Sequence, residues 1–451
     1  MKKRMIRMLL IAACAVLAVP GFLMSSSAAA SAAPAVSIVS IVNGTVLNLD
    51  QCIEIALRKN PAILAAGSSA QAAKSRVGEA QSAYYPQLNW QTDYTRQSSS
   101  ASSGTSGGLP GGSGRFGGTF ENISTGPALT QNIYDFGRTS SQVNIAKYNL
   151  ESSRQDFETE SNTIALNVKI AYYGVLQAQK AQAAAEEVVK QNQTHLTQAQ
   201  GFFQAGTVPK IDVTNAQVTL SNAQLSLIQA QNAVQVAWQN LDNAMGVPNA
   251  PAYSIVDNLV FKPYPITFED ALATAYKNRP DLKSTHARTI STGQSLEFAR
   301  AGYFPTISGT AGYTWEGDLS PVQHGWTVGA SLTVPLFSGF LTKKQVQEGQ
   351  ANLDVAKDNE ESLRQQIYLQ NRQAYLNLKS SESSVPTAQA GLEQAKENLD
   401  LANGRYAAGV GSQVDVIDAL TTYSTAQTAY INALYSHMTA EANLENAMGI
   451  R

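Results

Sequence analysis

Side chains able to do chemistry near neutral pH are few in this chain of 451 residues, and their spacing is wrong for catalysis. The four histidines, His195, His286, His324 and His437, lie far apart, outside any metal-ligand spacing. Cys14 and Cys52 are the two cysteines. Cys14 falls in an N-terminal leader, so the mature chain can form no internal disulfide. Two short stretches fit enzyme patterns. Gly104-Thr-Ser106-Gly-Gly108 fits the G-x-S-x-G nucleophile turn, and Gly112-Ser-Gly114-Arg-Phe-Gly117 fits the G-x-G-x-x-G phosphate loop. Each pattern needs a strand before it and a helix after it. Both instead lie within residues 98–118, where 15 of 21 residues are Gly or Ser and composition alone produces such matches. No catalytic, cofactor-binding or metal-binding set remains, and the chain reads as a non-enzyme.

The elements that would have to position any site are more informative. Charged residues are 15% of the chain, well below the ~25% of soluble globular proteins, and Ala, Gln, Asn, Ser and Thr fill the gap. A mean hydropathy of −0.17 is too polar for a bundle of membrane helices. The 32 basic and 34 acidic residues give a net charge of −2; loss of Lys2, Lys3, Arg4 and Arg7 with the leader leaves 28 against 34, or −6. Without a basic excess to neutralise phosphates, nucleic acid is not an expected partner.

Residues 1–35 read as a secretory signal peptide, with a basic start, an apolar run from Met8 to Met24 and small residues after it. Ala28-Ala29-Ala30 and Ala33-Pro34-Ala35 both satisfy the small-x-small cleavage rule. Ile11-Ala12-Ala13-Cys14 also resembles a lipobox that would lipidate Cys14, but apolar residues continue beyond it, which favours ordinary cleavage. No later run approaches the ~20 apolar residues of a membrane helix. A membrane span would have to be made of strands.

Self-comparison uncovers a duplication. Asn240-Leu-Asp-Asn-Ala-Met-Gly-Val247 returns as Asn443-Leu-Glu-Asn-Ala-Met-Gly-Ile450, an offset of 203. Gly206 with Asp212 returns at the same offset as Gly409 with Asp415, and Gly126 as Gly329. Upstream the offset is 219, matching Asn60-Pro61 to Arg279-Pro280 and Tyr85-Pro86 to Phe304-Pro305. The first copy therefore carries 16 extra residues around its Gly/Ser stretch, which reads as a long flexible loop. The expected organisation is a first repeat at 36–247, a linker at 248–265 holding Pro248, Pro251, Pro263 and Pro265, and a second repeat at 266–451.

Each copy reads as helix, strand, strand, long helix, helix. Between Gly325 and Phe337, Trp326, Val328, Ala330, Leu332, Val334 and Leu336 alternate with Thr327, Gly329, Ser331 and Thr333, which puts Leu332 near the middle of an apolar row. Ile307, Ala311, Tyr313 and Trp315 alternate with Thr306, Ser308, Thr310, Thr314 and Glu316; Leu88, Trp90 and Tyr94 with Asn89, Gln91 and Asp93. That pattern suits strands with one face to lipid and one to water, and aromatic clusters at Tyr84-Tyr85, Tyr134 with Phe136, Tyr303-Phe304 and Phe337 with Phe340 suit an interfacial girdle. The fourth segment, 119–134, alternates poorly and is assigned from its partner. Residues 137–205 contain no proline, and Leu150, Phe157, Ile164, Ala171, Ala178 and Ala185 recur every seven residues, as in a coiled coil. Pro386 should kink the second long helix.

A leader, this duplicated unit, G-x-x-x-x-x-D after each long helix and N-[LD/LE]-N-A-M-G at each repeat end together resemble the TolC family of outer membrane efflux proteins. The resemblance covers essentially the whole mature chain. It implies an α+β membrane protein in which four antiparallel strands from each chain of a homotrimer close a twelve-stranded β-barrel, continued by a coiled-coil α-helical barrel in the periplasm. For the constriction, the family pattern places a periplasmic gate at Tyr406, Asp415 and Asp418, with Asp212 as the partner of the tyrosine. A second family latch needs a basic residue where this chain has Gly411 and an acceptor where it has Ile211, so both of its ends are missing. Gly206, Thr207, Gly409 and Val410 match the helix-turn tips that receive the adaptor. The alternative for the aspartates is first-turn placement favoured by the helix dipole.

The function this implies is a passive outer membrane channel, the exit duct of a tripartite efflux pump. Its partners would be outer membrane lipid, a periplasmic adaptor (membrane fusion) protein and an inner-membrane transporter of RND, ABC or MFS type, and no cofactor is expected. The alternatives are the outer membrane component of a type I protein secretion system and, more remotely, a surface coiled coil or adhesin that transports nothing.

Overall fold

The computed structural model describes residues 43–98, 119–317 and 323–451. The leader with Cys14 and the Gly/Ser stretch with its two enzyme-like patterns lie outside the described residues. In chain order the elements are β1 (Val46–Leu47), α1 (Leu49–Lys59), α2 (Pro61–Gln81), β2 (Gln87–Ser98), β3 (Thr119–Tyr134), α3 (Arg138–Gln204), α4 (Lys210–Ala244), β4 (Ser254–Ile255), α5 (Phe268–Asn278), α6 (Pro280–Ala301), β5 (Thr306–Gly317), β6 (Gln323–Thr333), α7 (Leu341–Ala407) and α8 (Gln413–Ala447). No described helix is long and apolar enough to cross a membrane.

The four long strands form one antiparallel sheet in the order β2-β3-β5-β6. Its register carries the alternation across every strand. Leu88, Leu129, Ala311 and Val328 lie in one cross-strand row, and Thr92, Thr125, Trp315 and His324 in another on the same face. Trp90 stacks on Trp315 there, with ring centroids 5.9 Å apart. On the other face Gln87, Thr130, Thr310 and Gly329 form one row, and Asp93, Ser124, Glu316 and Gln323 another. The sheet thus has one apolar and one polar side. Within the single chain neither side is covered at the edges: Leu88 is 70% exposed and Val328 73%.

Two details differ from the alternation pattern. The pattern ran to Leu336, but β6 ends at Thr333, so Leu332 sits at the strand's end and Val328 at its middle. The poor alternation of β3 also has a cause. Its ladder to β5 skips Gly126 and Pro127 and is irregular again between Asn132 and Tyr134. Proline has no amide to donate, and a Cβ at Gly126 would strike the Tyr313 carbonyl oxygen.

Helices α3 and α7 have 67 residues each, about 100 Å at 1.5 Å per residue. Helix α7 runs through Pro386 without interruption. Both α2 and α4 pack on α3, and α6 bridges α3 and α7. The deepest burial on α3 falls between Ser161 and Leu176, where Val168, Tyr172 and Val175 are fully enclosed. That level is wrapped by the segment between the repeats. Ser254 and Ile255 pair with Val46 and Leu47, Tyr172 donates to the Val256 carbonyl at 2.6 Å, and Lys180 pairs with Asp257 at 2.7 Å.

The repeated N-A-M-G ending is the joint that makes two shorter helices run as one beside each long one. Gly246 ends α4 with φ +71°, and its amide and that of Val247 bond back to Asn243 and Asp242. Gly449 ends α8 with φ +74° and bonds in the same way. A Cβ on Gly246 would come 2.7 Å from Asn60 Cα, and one on Gly449 2.9 Å from Arg279 Cα. Asn60 and Arg279 are the residues at the break that starts α2 and α6, and each donates to the carbonyl of its partner helix's last residue, Ala244 at 3.0 Å and Ala447 at 3.4 Å. Met245 and Met448 fill the joint and are fully buried. Gly246→Ala should therefore cost the left-handed penalty of about 1–2 kcal/mol and a backbone clash besides. Gly206, at φ +73° with open space around it, carries only the first cost. Thermal melting of the two variants should rank them in that order; equal losses would mean that the close approach at Gly246 is relieved freely.

Candidate functional site

The two turns that follow α3 and α7 are built alike. Gly206 and Gly409 both have φ +73°, and the next amides, of Thr207 and Val410, reach back to the carbonyls of Phe202 and Arg405 at 3.0 Å. This closure uses up carbonyls that a helix end leaves unpaired. Gly206, Thr207, Gly409 and Val410 all lie exposed at the tips. The helices then restart differently. Pro209 precedes α4 without a side-chain cap, whereas Ser412 and Asp415 form a capping box at the start of α8. Ser412 Oγ accepts from the Val414 amide at 3.0 Å, and Asp415 Oδ2 from the Ser412 amide at 3.3 Å. Asp415 therefore has a local role as well as an exposed carboxylate.

Asp415 and Asp418 are exposed on α8, whereas Val416, Ala419 and Leu420 of the same helix are buried. Tyr406 points into the packed side. It is 4% exposed and belongs to a cluster with Leu399, Val416, Leu420 and Tyr423, against which Phe202 of α3 also packs. The rings of Phe202 and His195, both from α3, lie 5.4 Å and 5.1 Å from that of Tyr406. Gln413 Nε2 donates to the Asp212 backbone carbonyl, tying the start of α8 to the start of α4. Tyr423 and Gln427 of α8 both donate to Glu187 of α3, at 3.2 and 3.3 Å.

The structure thus gathers Asp212, Tyr406 and the start of α8 at one end of the coiled coils. It does not make the hydrogen bond that the family pattern suggested: the Tyr406 hydroxyl is buried and has no partner. Burial raises the Tyr406 phenol above its ordinary range, and the nearby Asp212 carboxylate pushes the same way. His195 escaped the sequence reading, because a lone histidine within a heptad seam next to Leu196 carries no signal of its own. It is 4% exposed, and neither ring nitrogen has a partner.

The missing basic latch has a geometric counterpart. A Cβ at Gly411 would stand 2.8 Å from the Tyr406 amide nitrogen and 2.9 Å from the Arg405 carbonyl carbon. Gly411→Arg, which would restore the basic position, should therefore distort the turn and lower the melting temperature. Unchanged melting of that variant would show that the turn adapts.

Comparison with known proteins agrees with this architecture. The family model described as "Outer membrane efflux protein" matches residues 52–247 and 271–450. The outer membrane protein TolC of Escherichia coli (strain K12) is 25% identical over 430 residues, covering 89% of this chain and 82% of that protein. The alkaline protease secretion protein AprF of Pseudomonas aeruginosa is 24% identical over 335 residues, covering 72% of this chain and 69% of that protein. The crystal structure of the outer membrane protein VceC from Vibrio cholerae superposes with a TM-score of 0.75 at 16% identity, covering 89% of this chain and 96% of that one.

Proposed function

Because the chain belongs to the outer membrane efflux protein family, we propose that it works in the outer membrane as the exit duct of a tripartite efflux pump. The observation that carries this reading is the sheet. Its apolar face is continuous across four strands, its opposite face is polar, and β2 and β6 each present an edge that nothing else in the described chain pairs. Open edges are not tolerated in lipid, and four strands cannot close a barrel. Three copies, twelve strands in all, close one with the apolar face outward and Gln87, Thr130, Asp93 and Glu316 inward. The long helices then continue the wall into the periplasm.

In this reading Tyr406 and Asp212 hold the periplasmic end shut, Asp415 and Asp418 ring the constriction, and the tips at Gly206, Thr207, Gly409 and Val410 meet a periplasmic adaptor. Transport energy comes from an inner-membrane transporter, because a passive duct has no means of coupling. The likeness to AprF keeps open a second reading, export of a protein through a type I system. The test is a planar bilayer recording on purified outer-membrane trimers, together with co-purification of an adaptor. Discrete channel openings are expected; trimers that conduct nothing would reduce the chain to a structural coiled coil.

A further inference from the structure

Most buried polar groups in the helical region are satisfied. His437, fully buried in α8, has Nε2 3.1 Å from the Lys262 carbonyl and Nδ1 3.4 Å from Ser381 Oγ. Lys169 and Glu445 pair at 2.6 Å. His195 is different. Both of its ring nitrogens are buried without a partner, and the ring beside it belongs to Tyr406, whose hydroxyl is also buried without a partner. A buried polar atom left unpaired is costly, so three such atoms at one ring contact call for an explanation. Their two residues come from different long helices, α3 and α7, at the end where the constriction is placed.

We propose that His195 is a positioning residue of the gate: its neutral ring and Asp212 are alternative partners for the Tyr406 hydroxyl, and proton uptake by His195 releases Tyr406 from both. The proposal rests on the reading of Tyr406 and Asp212 as the closing pair. A neutral imidazole can accept a hydrogen bond from the phenol hydroxyl, but an imidazolium cannot, since both of its nitrogens carry hydrogens. The charged groups that face His195 are few. Asp212 comes from α4, Tyr406 from α7, and Tyr423 of α8 already donates to Glu187 of α3. Among the described residues the carboxylate that acts on His195 is Asp212, the same one that Tyr406 needs. Ion pairing between α3 and α4 would then replace the tie between α4 and α7.

The sign follows from burial. Desolvation holds the His195 imidazole below its ordinary range, with Asp212 pulling weakly the other way. A histidine depressed in the folded state favours the packed tip while it is neutral, and that contribution is lost as pH falls through its folded value. Acidification of the periplasmic side should therefore loosen the closed end, within a pH interval where carboxylates still carry charge.

The experiment is planar bilayer recording of intact trimers at about pH 7.5 and about pH 5, the lower value set well under ordinary imidazole titration because burial depresses His195. Wild-type open probability should rise on acidification. His195→Gln keeps a hydrogen-bond acceptor but cannot be charged; it should stay closed at both pH values, and His195→Phe should likewise lose the response. A wild-type channel indifferent to pH, or a His195→Gln channel that responds as wild type does, overturns the proposal. Tyr406→Phe separates the two levels of the argument. If it opens the channel at pH 7.5 while His195→Gln still responds to acid, the gate stands and the role of His195 falls. If Tyr406→Phe and Asp212→Asn both leave conductance unchanged, the closing pair itself is wrong, and the proposal falls with it.

Discussion

A chain carrying Val328→Arg is expected to disappear from folded outer-membrane trimers, while Thr327→Arg, one residue away, assembles and conducts. Val328 lies at the middle of β6 in the row Leu88, Leu129, Ala311 and Val328. A charge on the lipid face of a barrel costs ~2–4 kcal/mol at the midplane and ~0–1 kcal/mol near the interfaces. A trimer repeats the substitution three times, so the total is comparable with the 5–15 kcal/mol that stabilises a typical domain. Thr327 faces the polar side opposite Gly312, where an arginine reaches water. Leu332→Arg discriminates further. Alternation alone centres the apolar row near Leu332, but β6 ends at Thr333, so the penalty there should be the small interfacial one. Trimer levels on semi-native gels of outer membrane fractions decide the matter. Equal amounts for Val328→Arg and Thr327→Arg would refute the assignment of faces, and a collapse confined to Leu332→Arg would move the midplane.

That helices and strands are legible in the sequence, while the contacts around Tyr406 are not, has a physical reason. Strand and helix periods are set by one residue against its near neighbours, so rows such as Trp326, Val328 and Ala330 can be read locally. The duplication doubled that signal. Gly246 and Gly449 recur at a fixed offset because both sit at φ above +70° against the backbone of Asn60 and Arg279. Strand ends are less legible, because apolar residues continue past Thr333 into the segment that leads to α7. The cluster around Tyr406, where the gate is proposed, is a meeting of three helices far apart in sequence. Nothing near His195 in the chain announces Tyr406, which is 5.1 Å away in space. Family resemblance supplied Asp212, Tyr406, Asp415 and Asp418, but it could not say that Asp415 also caps its own helix. The absent latch was visible as Gly411 and Ile211; that a side chain at Gly411 would strike the backbone of Tyr406 was not.

The carboxylates of Asp415 and Asp418 should control ions at the constriction, and the capping box dictates how to show it. They are three positions apart on α8, a rise of about 4.5 Å, and both are exposed. In the proposed trimeric duct they would form two stacked rings of three. At ~5 Å in water each unit charge attracts another by about 1 kcal/mol, so six carboxylates around a multivalent cation hold it well enough to block flow. Alanine is the wrong probe for this. Asp415→Ala would remove the acceptor of the Ser412 amide, and a changed channel could then mean only a frayed helix. Asparagine keeps an oxygen at that position and removes only the charge. The Asp415→Asn, Asp418→Asn trimer should melt close to wild type, lose most of its preference for cations and bind a trivalent blocker at least about tenfold more weakly, roughly 1.4 kcal/mol. Unchanged block and selectivity in that variant would remove both residues from the constriction and leave Asp415 with its capping role alone. Reduced block with unchanged melting would separate the ring from the cap, because the cap is the one function that the amide preserves.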